Sequence, residues 1–233
     1  VSTVGPASNA NPDLKWENKK ETNIGIDFTA LKGRLSGAID YYNREVDGLL
    51  YEYAVPTPPN LYPKTWANGG KLQNRGLELL LSGIPVTSKD FEWNTTVTFS
   101  TNSNKLKSLS GSVFKTEYDY FDTGSAEYSG QWTTSHRVQV GEKIGNFYGF
   151  KVVDVDDDGK WIYLDRDGNR VPYDDFTHAP EDKHMIGNGV PTWYGGWNNS
   201  FRYKDFDLNI TMRGAFGFQI INAARMNYEN TKN

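Results

Sequence analysis

The chain contains no cysteine, so neither a disulfide framework nor a thiolate metal site is available, and the redox compartment stays open. It has no apolar run near the ~18 residues that a spanning helix needs. Its mean hydropathy is −0.67. Together these exclude a helical membrane protein, though not a barrel, whose strands are each only half apolar. A basic excess is lacking too: 25 Lys and Arg stand against 29 Asp and Glu, a formal net charge of −4. Nucleic acid, which is drawn to a basic stripe, is therefore not an expected partner. No Gly-rich phosphate loop, nucleophile elbow or triad spacing occurs. His136, His178 and His184 lie apart, in no metal-ligand spacing. No enzyme activity is expected. The opening V-S-T-V-G-P-A-S-N-A-N-P carries no signal peptide and reads as a loop, so the chain reads as a segment excised from something longer.

What is present favours strands and turns. Aromatics make up 14% of the 233 residues, and Gly and Asn are frequent. Side chains on a strand alternate between faces, and several runs alternate cleanly. Ile24, Ile26 and Phe28 oppose Asn23, Gly25, Asp27 and Thr29. After a turn at Leu31-Lys32-Gly33-Arg34, Leu35, Gly37, Ile39 and Tyr41 oppose Ser36, Ala38, Asp40, Tyr42 and Arg44. Leu77, Leu79 and Leu81 oppose Glu78 and Leu80. A turn over residues 85–90 leads to Phe91, Trp93, Thr95, Val97 and Phe99, which oppose Glu92, Asn94, Thr96, Thr98 and Ser100. Trp197, Asn199, Phe201 and Tyr203 share a face against Asn198, Ser200 and Arg202. Across a tight turn at Lys204-Asp205, Phe206, Leu208, Ile210 and Met212 oppose Asp207, Asn209, Thr211 and Arg213. Each pair of runs predicts a hairpin with one apolar and one polar face.

Between the hairpins come longer stretches, expected as loops. Residues 52–70 contain Pro56, Pro58, Pro59 and Pro63, which cannot donate to a ladder. Residues 102–134 are polar with scattered aromatics, and residues 154–185 are rich in Asp; residues 138–153 between them read as one strand. Short turns at one end and long connections at the other suit an all-β fold, part of a large antiparallel transmembrane β-barrel. The carboxylates of Asp27, Asp40, Glu78, Glu92 and Asp207 then face the lumen, and the apolar faces meet the lipid bilayer.

Two groups in the expected loops are candidate sites. Asp154, Asp156 and Asp158, with Gly159 after them and Asp165 at the twelfth place, fit the spacing of a calcium loop. Asp182 competes with Asp165 for the closing ligand, and the plain alternative is a solvated Asp-Gly turn. Tyr62, Trp66, Tyr118, Tyr120, Trp132 and Trp161 are candidates for contact with substrate or with a lid, because exposed aromatic planes stack on sugars and anchor interfaces. Loop packing or an interface girdle is the competing reading.

Five blocks carry a family resemblance: N-P-D-L-K-W-E-N-K-K-E-T-N-I-G-I-D-F at 11–28, R-L-S-G-A-I-D-Y-Y-N-R at 34–44, N-G-G-K-L-Q-N-R-G-L-E-L at 68–79, G-E-K-I-G-N-F-Y-G-F-K at 141–151 and I-G-N-G-V-P-T-W-Y-G-G-W-N-N-S-F at 186–201. Their order and content resemble the SusC/RagA family of TonB-linked outer-membrane proteins. The resemblance implies a location in the cell outer membrane and TonB-dependent uptake of oligosaccharides or peptides. It implies a SusD-like lipoprotein as lid, and TonB acting through an N-terminal part. Residues 1–233 would be a portion of the barrel, without plug or closing strands. It also supports the acidic loop, since many members carry a similar one before the I-G-N block. The rival expectation is a soluble β-sandwich that binds carbohydrate, with or without calcium. Whether the apolar faces are buried between two sheets or left in one band discriminates the two.

Overall fold

The computed structural model describes residues 8–111, 115–128 and 131–228. The start of the opening loop and the end of the polar tail lie outside them. The strands in chain order are β1 (Asn18–Ala30), β2 (Leu35–Asp47), β3 (Leu50–Ala54), β4 (Lys64–Asn68), β5 (Lys71–Thr87), β6 (Phe91–Thr101) and β7 (Ser103–Ser108). After them come β8 (Tyr120–Thr123), β9 (Ala126–Tyr128), β10 (Gln131–Thr133), β11 (His136–Gln139), β12 (Asn146–Val155), β13 (Trp161–Leu164), β14 (Arg170–Pro172) and β15 (Lys183–Asn188). β16 (Trp193–Tyr203), β17 (Phe206–Phe216) and a short helix α1 (Ala223–Tyr228) complete the order. Among the described residues no helix is long and apolar enough to cross a membrane.

The chain divides into two units, Val1–Asp119 with Thr192–Phe216, and Tyr120–Pro191 with Gly217–Asn233. The first is built on an antiparallel sheet in the order β1-β2-β5-β6-β16-β17, with β7 continuing beside β5. The three expected hairpins are all present. Their turns lie at one end: Leu31–Gly33, where Lys32 and Gly33 take φ of 56° and 87°, a turn closed by Ser88 N–H donating to the Phe91 carbonyl at 2.7 Å, and Lys204-Asp205, where Lys204 takes φ of 51°. The second turn is shorter than expected, because β5 runs on to Thr87 through a bulge between Gly83 and Val86.

Three expected loops hold strands instead. Within 52–70, β3 and β4 form a hairpin, with Tyr53 only 2% exposed. The four prolines are confined to the connection between the two strands, so no ladder donor is lost. Within 102–134, β7 extends the path of β6 along β5, and β8, β9 and β10 are short. Within 154–185, β12 runs to Val155 and β13 and β14 follow. The single strand expected over 138–153 is β11 and β12, separated by a turn where Gly141 and Gly145 take φ of 90° and 87°.

The second unit carries a sheet in the order β14-β13-β12-β11-β8, with β15 on β12 and β9 paired with β10. Its core is aromatic. Tyr163 stacks on Phe176 at 4.3 Å between ring centres, and His178 and Phe150 pack edge-on against Phe176.

Candidate functional site

Cross-strand register decides which side chains share a face of the six-stranded sheet. Phe28, Gly37, Leu81, Val97, Trp197 and Met212 are successive partners in one row. Ile26, Ile39, Leu79 and Phe99 form the next, and Phe201 and Leu208 pair nearer the short turns. This whole face is uncovered. Ile24 is 68% exposed and Phe206 75%, and Leu208, Ile210 and Met212 are exposed as well. A sandwich would bury these side chains between two sheets. A large side chain gains roughly 1.5–3 kcal/mol when taken out of water, so a continuous apolar face of this kind marks contact with another apolar medium.

Polar groups on that face satisfy one another. Trp93 Nε1 donates to Asn199 Oδ1 at 3.0 Å, Thr95 Oγ1 donates to the same oxygen at 3.0 Å, and Trp197 Nε1 donates to Thr95 Oγ1 at 2.8 Å. Asn199 is buried by this arrangement. The pairing explains how an Asn can sit among lipid-facing aromatics without an unmet polar group.

The opposite face is mainly polar. Thr29, Ser36, Ser82, Thr96, Asn198 and Thr211 are one row across all six strands, with Ser82 Oγ and Thr96 Oγ1 3.0 Å apart. Asp27 and Arg213 stand at the two ends of the neighbouring row. Asp40 and Glu78 are direct partners and, with Ser100, Tyr194, Asn198 and Arg213, line a concavity of about 580 Å³. Near the short turns, Arg202 pairs with Glu92 at 3.2 Å and faces Asp207 in register. The five carboxylates expected on the lumen side all lie on this face.

The six candidate aromatics do not form one cluster. In the first unit, Trp66 is exposed on β4, and Tyr62 is half-buried where Asn9 binds its backbone N–H and carbonyl. Burial pushes the Tyr118 hydroxyl up, and it pushes that of Tyr53 up to about 12. In the second unit, Trp161 is exposed on β13 and meets Tyr163 edge-on at 6.2 Å. Tyr120 takes part in an arrangement that sequence reasoning missed. The Arg137 guanidinium lies between the Tyr120 and Tyr148 rings, 3.8 and 3.6 Å from their centres, while donating to both oxygens of Asp122 at 2.6 and 2.9 Å. The Asp122 bonds raise the pKa of Arg137, and burial raises that of Tyr148. The short alternations Y-F-D-T and H-R-V-Q were its only trace in the sequence. For Trp132 the side chain lies outside the described residues.

The structure does not bring the four acidic candidates together. Asp154 pairs with Arg170, and the N–H of Val155 first, then Arg170, lowers its pKa. Asp156 Oδ1 accepts the N–H groups of Asp158 and Lys160 at 3.1 and 2.8 Å. Asp165 repeats that turn, accepting from the N–H groups of Asp167 and Asn169 at 2.9 and 2.8 Å. The Asn169 side chain is the main cause of its lowered pKa. Asp182 accepts from the Arg166 N–H at 3.1 Å. The carboxylates of Asp154, Asp156, Asp165 and Asp182 each serve a turn or an ion pair of their own, and among the described residues no three acidic or His groups are placed to hold a metal. The donor set present does not fit calcium's need for six to eight converging oxygens.

Comparison with known proteins accords with the two-faced sheet. A family model described as TonB dependent receptor-like, beta-barrel, matches residues 2–233. TonB-dependent receptor SusC of Bacteroides thetaiotaomicron is 31% identical over 209 residues, 88% of this chain and 20% of that protein. TonB-dependent receptor P3 of Formosa agariphila is 30% identical over 229 residues, 91% of this chain and 22% of that protein. The chain thus spans about a fifth of the length of the curated relatives it matches. Among solved structures, the RagAB peptide transporter matches 93% of this chain and 22% of its own at a TM-score of 0.71 and 22% identity. The RagAB peptide importer in its "open-open" state gives 0.73 over 91% of this chain and 22% of its own, also at 22% identity. At that identity the likeness concerns the fold.

Proposed function

The chain belongs to the TonB-dependent receptor β-barrel family of the outer membrane, and on that premise we propose that it forms part of the wall of a nutrient importer. The wall is one portion of a larger barrel domain. The cargo is an oligosaccharide or a peptide, taken up with TonB-supplied energy and with a SusD-like lipoprotein over the outer mouth. The protein transports its ligand and does not transform it.

One observation carries this reading. Six neighbouring strands present an uncovered apolar face and, on the opposite face, a polar row that crosses all six. Lipid on one side and a wet passage on the other account for both. The solved RagAB assemblies are named as peptide importers, which sets a peptide against an oligosaccharide as test ligands.

The test is uptake by intact cells of labelled peptides and labelled oligosaccharides, with and without the receptor, and with and without a protonophore. The expected result is loss of one ligand class both on deletion and on de-energising. Uptake of both classes that survives deletion would refute importer function, and a receptor that purifies without any lipoprotein would refute the proposed lid.

A further inference from the structure

On the outward face one polar side chain is met by the protein at one end only. Asn199 stands between its register partners Thr95 and Ile210 and is 5% exposed. Chemistry fixes which end of its amide faces the sheet. An indole N–H only donates, so the atom 3.0 Å from Trp93 Nε1 is the carbonyl oxygen. The Thr95 hydroxyl accepts from Trp197 Nε1 at 2.8 Å and sends its own hydrogen to the same Asn199 oxygen at 3.0 Å, with the Asn198 carbonyl farther off at 3.4 Å. Both lone pairs of that oxygen are then filled, and the NH2 group is left facing away from the two donors. Among the described residues the side-chain bonds of Asn199 are those two, both at the oxygen. No wholly enclosed side-chain nitrogen or oxygen lacks a partner among the described residues, so this nitrogen reaches the outward surface. Its acceptor comes from the surrounding medium.

Depth selects that acceptor. Next to the short turns the outward face is aromatic, with Phe91, Trp93, Phe201, Tyr203 and Phe206. Trp93 stacks on Phe201 at 5.7 Å between ring centres, and Phe201 on Phe91 at 6.5 Å. An aromatic belt of this kind marks the membrane–water interface, and the short turns of such barrels are periplasmic. Asn199 is the next outward position after Phe201, roughly 5 Å deeper at about 3.3 Å per residue and a tilt of about 40°. Phosphate and water lie at the belt, and hydrocarbon, which offers an N–H nothing, lies beyond it. Between them the acceptors are the ester carbonyls that join acyl chains to glycerol. An interfacial indole ordinarily keeps its N–H for the wet side. Trp93 and Trp197 turn theirs to Asn199 and Thr95 instead, so neither competes for that carbonyl.

We propose that the Asn199 side-chain amide is a binding point for a glycerophospholipid of the periplasmic leaflet and donates to an acyl ester carbonyl of that lipid. This rests on the lipid-facing reading of the sheet and on nothing about the cargo. Trp93 and Thr95 hold the oxygen of Asn199 and thereby aim its nitrogen; they are positioning residues. Ile210 and Met212, outward on the neighbouring strand, receive the acyl chains.

The test is native mass spectrometry of the full-length receptor in detergent, titrated with a diester phosphatidylethanolamine and with its diether analogue. The analogue has the same headgroup and chains but no ester carbonyl. One hydrogen bond is worth about fivefold in affinity, so the wild type should bind the diester lipid about five times more tightly. Asn199→Leu should bind the two lipids equally. Ser200→Ala, the next position along β16 and on the polar face, should keep the preference. The unaltered protein gives a second readout that needs no variant to fold: with nitrogen-15 in its side-chain amides, the Asn199 amide protons should move downfield in diester nanodiscs relative to diether ones. Equal binding of the two lipids by the wild type would overturn the proposal, as would a preference that survives Asn199→Leu. An Asn199 amide signal that is the same in both lipids and exchanges freely with solvent would overturn it in favour of a bound water. Import separates this inference from the transport reading. Preference lost in Asn199→Leu with import intact supports the site and leaves transport standing, whereas a wild type that shows the preference and imports nothing would sink the transport reading alone.

Discussion

The aromatic core of the second unit and the six-stranded sheet of the first treat the same kinds of side chain in opposite ways. In the second unit Tyr163 and Phe176 are 4% and 6% exposed and stack on each other, as in any water-soluble core. In the six-stranded sheet of the first, Ile24, Ile26, Leu208 and Ile210 stand uncovered. What separates these two regions is the medium around them. Where water surrounds a segment, aromatics must find one another. Where hydrocarbon replaces water, the strand needs only to satisfy its backbone and its few polar side chains, as the Trp93, Thr95, Asn199 and Trp197 bonds do.

The sharpest way to break this contrast is truncation in each region. Phe176→Ala should destabilise the second unit by about 3–5 kcal/mol, the cost of a large aromatic removed from a packed core. Ile24→Ala, with hydrocarbon around it before and after, should cost under about 1 kcal/mol. Amide exchange in β12 and β13 for the first, and heat-modifiable mobility of the full receptor for the second, give the comparison. Equal costs would mean that the sheet face is an ordinary core awaiting a protein partner. Charge sharpens the same point from the other side. Leu79→Arg or Met212→Arg should cost roughly 2–4 kcal/mol near the bilayer midplane, whereas an Arg at Thr98, on the polar face, should be tolerated. An indifferent Met212→Arg would remove lipid from the argument.

Legibility in the sequence followed strand length. β1, β2, β5, β6, β16 and β17 were readable because alternation persists over many residues, and a one-residue slip would reverse every face. The three- and four-residue strands β8 to β11, β13 and β14 were not, since period two over so few positions is no pattern. β3 and β4 were hidden by prolines that in fact lie between them. The lumen carboxylates were placed correctly because each sits in a long alternating run. The Arg137 stack was beyond reach, since it joins residues from β8, β11 and β12 whose pairing no local pattern announces. The acidic spacing was legible too, but the direction of each carboxylate was not, because Arg170 answers Asp154 from a distant position and Asp156 and Asp165 turn onto the N–H groups of their own loops.

Smaller effects separate the units by pH. Tyr53 in the first unit has its hydroxyl pushed up by burial to about 12. A raised value means that its contribution is complete below the ordinary tyrosine value of about 10 and is lost as pH climbs through the folded value. The β3–β4 hairpin should therefore loosen only in strong alkali, visible as a tyrosinate absorbance step that arrives late. Asp154 and Asp165 in the second unit are depressed instead, by the Val155 N–H with Arg170 and by Asn169. Their contribution is present above the ordinary carboxylate value of about 3.9 and disappears as pH falls through the lower folded values. Trp161 emission should hold steady from neutral pH down to about pH 4 and shift only below it. A shift already at neutral pH would refute these turn assignments.

The smallest expected effect is that of calcium on the acidic turns, and the argument is geometric. A calcium loop needs its carboxylates free to turn inward on one point. Asp156 Oδ1 is committed to the N–H groups of Asp158 and Lys160, and Asp165 Oδ1 to those of Asp167 and Asn169. Asp154 is held outward by Arg170. Binding calcium would require breaking the Asp154–Arg170 ion pair and bringing carboxylates that now serve two separate turns onto one point. Without a cation the same residues already close two successive Asp-Gly turns, with Gly159 and Gly168 at φ of 79° and 86°. Titration calorimetry of the full receptor with calcium should thus give the same small heats for the wild type, Asp156→Ala and Asp158→Ala. Asp156→Ala should nonetheless expose the Lys160 amide to faster exchange, because it loses its acceptor. A saturating calcium heat in the wild type that vanishes in both variants would show that the loop rearranges around the ion and that the spacing was a metal motif after all.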